Sequence, residues 1–306
     1  MFWKNDVSTG VISVVIASFL FGTTGLAASF TSDVSPLATG AFSMGLGGLL
    51  LLFNAHKPLR CDLTKLASQG KLLLLGGISV ALYPLAFYTS MKWSGIAIGT
   101  VISIASAPFF TAMLERLISK KIISLQWVVG FAFGGLGIFL LAFGKQHNSS
   151  LELDITTQHW GIALGLIAGL TYAIYSWVAK QLIDRGISSQ SSMASMFGVA
   201  AVFLLPSLFF TGDNLFSTTT NSVVALYMAI IPMFLGYLLF GFGLRHIEAS
   251  KATLITLLEP VVATLLAIAI VGETFDANGW LGMLFITLCL IFQMFERPRI
   301  LKPSSS

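Results

Sequence analysis

The chain has 306 residues, of which 56% are hydrophobic and 10% charged, with a mean hydropathy of +0.87. Soluble domains average roughly 45–50% apolar and about 25% charged residues, so this composition excludes a soluble enzyme or a nucleic-acid-binding module and places the chain in a lipid bilayer. The net charge of +4 then follows from membrane topology, and no nucleic-acid partner is expected.

Short polar breaks divide the apolar material into stretches of roughly 17–25 residues, the length that crosses about 30 Å of hydrocarbon at about 1.5 Å per helical residue. Spans are predicted at 9–30, 36–53, 71–91, 96–115, 123–143, 160–182, 190–210, 222–243, 250–271 and 278–295. The first is longer than a signal-peptide core and lacks a clear cleavage site, so it reads as a retained helix. It contains FGTTG at 21–25, with Thr23 and Thr24. The second carries Gly45, Gly47 and Gly48, a seam on which helices can approach closely. The connection 54–70, which holds Cys61, is read as a loop. The third span contains Tyr83, Pro84 and Tyr88, and the fourth contains Thr100, Ser103 and Ser106 followed by Pro108. Gly130, Gly134, Gly135 and Gly137 form a second seam in the fifth.

The sixth span holds Tyr172, Tyr175 and Trp177, with Lys180 close enough to its end to snorkel to the headgroups. Pro206 sits near the end of the seventh, and the eighth contains Tyr227, Pro232 and Tyr237. The ninth contains Thr253, Thr256, Glu259 and Pro260, and the tenth contains Cys289. Spacing of three places Thr100, Ser103 and Ser106 on one helix face, and Thr253, Thr256 and Glu259 repeat it. In a membrane such a face looks at protein or water. Pro84, Pro108, Pro232 and Pro260 each remove a helix hydrogen bond and are read as kinks beside a cavity.

Glu259 is the deepest acid in the ninth span, about 13 Å along the helix from Ser250. A carboxylate there serves a substrate amine or a proton, or makes a structural hydrogen bond across the Pro260 kink, or stays protonated as a spectator. Tyrosines far from span ends, Tyr83, Tyr172, Tyr175 and Tyr237, suit an amphipathic pathway. His56, His147, His159 and His246 form no spaced metal pair, and no phosphate-binding glycine loop is present. Neither enzyme chemistry nor a cofactor nor an ATP motor is expected, and Cys61 and Cys289 imply no disulfide.

With both termini cytoplasmic, every one of the 17 Lys and Arg residues except Lys92 and Lys145 falls on the cytoplasmic side, the bias that sets topology. The pairs Thr100/Thr253, Ser103/Thr256, Pro108/Pro260, Gly130/Gly282, Gly10/Gly161 and Lys92/Arg245 indicate a duplication. Five spans per copy invert the second half, the symmetry that underlies alternating access.

FGTTG (21–25), GIAIGTVISIASAPFF (95–110), GLIAGLTYAIYSWVAKQL (165–182) and ASKATLITLLEPVVATLLAIAIVGE (249–273) resemble the EamA-type members of the drug/metabolite transporter superfamily. The resemblance implies an all-α membrane protein of ten helices, arranged as two inverted five-helix repeats around a central cavity lined mainly by helices 1, 3, 4, 6, 8 and 9. It also implies export of small metabolites, with amino-acid exporters among the bacterial members. Carried onto this chain, the pathway positions are Thr23, Thr24, Tyr83, Ser103, Ser106, Tyr172, Tyr175, Tyr237, Thr256 and Glu259. The family's Gly-Glu pair is present as Gly272-Glu273 but replaced by Lys120-Lys121 in the first half; Glu273 is assigned no role beyond its helix end.

The expected organisation is a first repeat at 1–145, an external linker at 146–157, a second repeat at 158–296 and a cytoplasmic tail at 297–306. The expected protein is a multi-pass secondary transporter of a bacterial inner membrane. Its partners would be the lipid bilayer, a small substrate such as an amino acid and, in one reading of Glu259, protons. A channel-like facilitator, a transporter of cofactors, sugars, nucleotide precursors or drugs, and a non-transporting scaffold are the competing readings.

Overall fold

The computed structural model describes residues 2–143, 155–272 and 276–294, and these are helical without strands. The expected linker and tail fall largely or wholly outside the described residues, as do Lys145 and Glu273. In chain order the first helices are α1 (Phe2–Ser29), α2 (Pro36–Asn54), α3 (His56–Ser68), α4 (Gly70–Ser94), α5 (Ile96–Leu117) and α6 (Leu125–Phe143). They are followed by α7 (Ile155–Asp184) and α8 (Ser189–Thr211). The next crossing is composite, made of α9 (Thr219–Met228), a π-helical stretch Ala229–Gly236 and α10 (Tyr237–His246). So is the one after it, made of α11 (Ala249–Ile255), α12 (Leu258–Leu266) and a π turn Ala267–Val271. The last helix is α13 (Ala277–Met294).

Among the described residues, 8 crossings are long and apolar enough to span a membrane, while α6 and α13 have shorter apolar stretches, Leu125–Leu141 and Ala277–Gln293. Local chemistry sets the ends. Pro36 opens α2 where its missing N–H costs nothing. Ser188 caps α8 by accepting from the Ser191 amide at 3.2 Å. Gly95, at φ +89°, lets α4 turn into α5 through a single residue.

The region 54–70 is a correction: it is the helix α3, not a loop. Leu59, Asp62 and Leu66 share its inner face while Arg60, Leu63 and Lys65 are exposed. That amphipathic pattern belongs to a helix lying along the membrane face.

The outer surface is apolar, as a protein facing lipid requires, and so is most of the core. Large apolar side chains such as Phe203, Phe209, Phe210, Leu74 and Leu82 face outward, while Ser18, Ser90, Thr111 and Ser192 are buried. Many buried hydroxyls bond back to their own helices, as from Ser18 to Val14 O at 2.7 Å and from Thr111 to Ala107 O at 2.8 Å, while Ser90 of α4 donates to Gly161 O of α7 at 2.7 Å.

Glycine seams set which helices touch, and they do so reciprocally. A Cβ on Gly10 at the start of α1 would sit 2.6 Å from His246 Cβ at the end of α10. A Cβ on Gly161 near the start of α7 would sit 2.5 Å from the Ser94 amide at the end of α4. Gly22 of α1 lies against Glu259 O and Val262 of α12, and Gly169 of α7 lies against Ser103 O and Ser106 of α5. Gly137 of α6 and Gly282 of α13 each abut the other's carbonyl. With no hydrophobic force to drive helices together in lipid, such close backbone approach is what packs them.

Candidate binding cavity

The crossing α11–α12 is broken at its middle, and the sequence explains the break. In a continuous helix residue 260 would donate to the carbonyl of Thr256, but Pro260 has no N–H. The Glu259 amide takes that carbonyl instead at 3.0 Å, and the Leu257 amide bonds Leu254 O at 3.3 Å. α12 then starts afresh with Glu259 in its first turn, where the positive end of the helix dipole favours an anion. Among the described residues the Glu259 carboxylate makes no hydrogen bond or ion pair, and it lines a cavity.

That cavity has a volume of about 60 Å³, is open to solvent, and is lined by Phe21, Thr24, Gly40, Ser43, Met44, Tyr83, Pro84, Phe87, Tyr88, Tyr172, Tyr175, Met233, Tyr237 and Glu259. Tyr175 and Tyr237 join their hydroxyls at 2.9 Å, and Tyr172 donates to Thr256 Oγ1 at 3.0 Å. The rings of Tyr172 and Tyr175 stack at 5.0 Å, and Tyr83 packs on Tyr172 at 5.5 Å and on Phe87 at 5.6 Å. Glu259 lies at the middle of its crossing, and Tyr175 and Tyr237 lie past the middle of theirs toward the basic loops, so these three are read as the floor. Thr24, Gly40 and Tyr88 lie toward the helix ends remote from the basic loops.

Of the pathway positions expected from sequence, Thr24, Tyr83, Tyr172, Tyr175, Tyr237 and Glu259 line the cavity. Thr23, Ser103, Ser106 and Thr256 are not among its lining residues. Thr23 is turned to Leu20 O and the Tyr227 hydroxyl. Ser103 bonds Gly99 O at 2.7 Å, and Ser106 fills the seam against Gly169. Thr256 lies buried behind Tyr172. The wall expected from α5 comes instead from α2, whose Gly40, Ser43 and Met44 the sequence reading missed. Gly40 was the available signal: a Cβ there would meet the Tyr88 ring at 2.4 Å, so its absence lets that ring lie against α2. Pro84 lines the cavity from within α4, Pro108 lies within α5, and Pro232 falls in the π-helical stretch.

Toward the basic loops, polar contacts close the molecule. Lys180, expected to snorkel to lipid, is instead buried, donating to Leu244 O at 3.0 Å and pairing with Asp184 at 3.2 Å. The bare carbonyls at the end of α10 are stronger partners for it than lipid. Glu115, whose depth the sequence reading passed over, accepts from the Ala249 amide at 2.9 Å. Trp127 Nε1 donates to Ser250 O at 3.1 Å, and Trp177 Nε1 to Ser119 Oγ at 2.9 Å. Lys121 pairs with Glu248 and, at 3.4 Å, with Asp184. Burial opposes the Lys121 charge, but the bond to Glu248 and the nearby acids outweigh it and hold the ammonium above the usual lysine range.

A profile of the EamA-like transporter family matches the chain twice, over residues 8–143 and 159–295. The chain belongs to the EamA-like transporter family. Among relatives of this EamA-like protein, the uncharacterized transporter YwfM of Bacillus subtilis (strain 168) is 30% identical over 279 residues, covering 91% of each chain. The uncharacterized inner membrane transporter YedA of Escherichia coli (strain K12) is 28% identical over 262 residues, covering 83% of this chain and 80% of its own. A protein crystal structure with 14% sequence identity superposes with a TM-score of 0.78 over 93% of this chain and 96% of its own, a likeness of fold. The EamA resemblance read from the motifs at 21–25, 95–110, 165–182 and 249–273 is thus established. Where this member lacks the first Gly-Glu pair, Lys121 crosses to Glu248 and Asp184.

Proposed function

We propose that this EamA-family chain is a secondary carrier that moves a small, amine-bearing metabolite across a bacterial inner membrane by alternating access. The observation that carries the reading is the unpaired Glu259 carboxylate on the floor of a cavity beside a broken helix, above a polar seal on one face. Broken crossings at mid-membrane are where transporters place substrate. Ten spanning helices in two inverted halves, 1–145 and 158–296, complete the proposal. The two family matches and the reciprocal seams, α1 on α10 and α7 on α4, support that symmetry. Charge bias supports cytoplasmic termini, and the resemblance to exporters supports outward movement, with amino acids the first compounds to try.

Counterflow tests this directly. Proteoliposomes loaded with one unlabelled compound from a panel of amino acids, amines and neutral metabolites are diluted into its labelled form. Stimulated uptake by wild type is expected for a subset, with Glu259→Gln reducing it by roughly tenfold or more, the scale of removing a charge-assisted contact from a buried site. Flat traces for every compound, from protein shown to be folded, would refute the carrier reading.

A further inference from the structure

Resting on the carrier reading, we infer that the cavity selects organic monocations, amines with an apolar or aromatic body and no carboxylate, over zwitterionic amino acids. The argument is one of charge balance and lining chemistry. Among the described residues Glu259 is the only Asp or Glu that lines the cavity, and no Lys, Arg or His lines it. Lys180 is engaged with Leu244 O and Asp184 instead. An amino acid entering here finds a partner for its ammonium, but brings its own carboxylate into the same enclosed space as Glu259. Neutral hydroxyls of Thr24, Ser43 and the tyrosines are the side-chain donors that could meet it. Like charges sharing a site disfavour one another, and an unpaired carboxylate in an apolar enclosure is costly.

A cation without a carboxylate meets a complementary surface. One acid neutralises it, and aromatic rings surround it on several sides: Phe21, Tyr83, Phe87, Tyr88, Tyr172 and Tyr237. Aromatic faces attract ammonium groups through the ring quadrupole, most strongly when the cation is desolvated. Two of these phenols are uncommitted. Among the described residues Tyr83 and Tyr88 make no hydrogen bond through their hydroxyls, whereas Tyr172, Tyr175 and Tyr237 are held by Thr256 and by each other. Tyr88 also sets the width of the cavity, because its ring lies where a Cβ on Gly40 would be. The fixed part of the site is therefore the floor, and the adjustable part is the pair Tyr83 and Tyr88.

The test is direct binding to the purified full-length protein by isothermal titration, so that it does not depend on transport. The probes are phenethylamine, tetraethylammonium, phenylalanine and the neutral 2-phenylethanol. Phenethylamine is expected to bind roughly tenfold or more tighter than phenylalanine and than the alcohol, and Glu259→Gln should remove the preference over the alcohol. Tyr88→Leu, which removes the ring, should weaken amine binding by roughly 3- to 30-fold. Gly40→Val, which drives the Tyr88 ring inward, should exclude tetraethylammonium before phenethylamine.

Phenylalanine binding as tightly as phenethylamine would overturn the inference, as would indifference to charge or the absence of binding by either cation. Counterflow separates this from the broader reading. If amino acids or neutral metabolites exchange while amines do not, the carrier stands and the cation selectivity falls. If no compound exchanges, the carrier reading fails with it.

Discussion

Gly169 shows how little room a single position has. A Cβ there would lie 1.9 Å from Ser106 Oγ and 2.7 Å from Ser103 O. The hydroxyl can rotate away, but the carbonyl belongs to the backbone of α5 and cannot. Gly169→Ala should therefore push α5 off α7 and destabilise the protein by about 1–3 kcal/mol, the usual cost of overpacking, read as a lower unfolding temperature in detergent. Gly135, with open space around it, should accept alanine without loss, and equal effects at the two sites would refute the seam argument. The same residues explain what the sequence could not reveal. A period of three in Ser and Thr marks a helix face that avoids lipid, but a cavity and a glycine seam both meet that condition. Ser103 and Ser106 chose the seam because Gly169 faces them. Glu259 was legible because a long carboxylate at mid-span has no such alternative. Lys180 was not, because its partner is the Leu244 carbonyl on a helix distant in sequence.

At the scale of elements, the 8 crossings long and apolar enough to span a membrane were legible from their apolar lengths, while their interruptions were legible only where proline marks them. Pro260 forecasts the gap between α11 and α12, and Pro232 lies in the π-helical stretch Ala229–Gly236. The π turn Ala267–Val271 contains no proline and had no signal. α3 was missed because its apolar face is too short to resemble a span. Its docking is polar: Asp62 accepts from the Ser188 amide at 3.0 Å, and Lys65 donates to Gly186 O at 2.8 Å. Burial works against the Asp62 charge, but the Ser188 amide, the Ser188 and Ser191 hydroxyls and nearby Lys65 outweigh it and hold its pKa below the usual aspartate range. A carboxyl depressed on docking stabilises the docked helix above the free pKa of about 3.9 and loses that contribution as pH falls through the docked value. Amide exchange across α3 should therefore be steady from pH 8 to 5, after correction for intrinsic rates, and accelerate in more acidic solution. Asp62→Asn should raise it throughout. Exchange in wild type that matches the Asn variant at neutral pH would show that Leu59 and Leu66 hold the helix without help from the charge.

The whole molecule is asymmetric about its floor: a cavity on one side, interlocked polar contacts on the other. Within the seal, the contact between Lys121 of the first half and Glu248 and Asp184 of the second is the one that the departure from the family pattern at Lys120-Lys121 supplies. The sequence displayed those lysines as part of the basic bias, which hid the pairing, since topology alone accounts for them. Because its folded pKa is raised, Lys121 contributes fully below the free lysine value of about 10.4 and loses its contribution only as pH rises through the raised value. The Lys121 contribution should thus be insensitive to pH between 6 and 9. The three side chains are 30%, 49% and 41% exposed, and pairs so open to water contribute at most about 1 kcal/mol. Lys121→Ala should accordingly shift the balance of states by no more than about fivefold. With Cys61 and Cys289 replaced, a cysteine at buried position 250 reports that shift through its labelling by a membrane-impermeant maleimide. Labelling from the basic face should rise two- to fivefold in Lys121→Ala and return toward the starting rate when Lys121→Glu is combined with Glu248→Lys. An unchanged rate would place the closing force in the neutral contacts, Trp127 to Ser250 and Trp177 to Ser119, which join the same surfaces without charge.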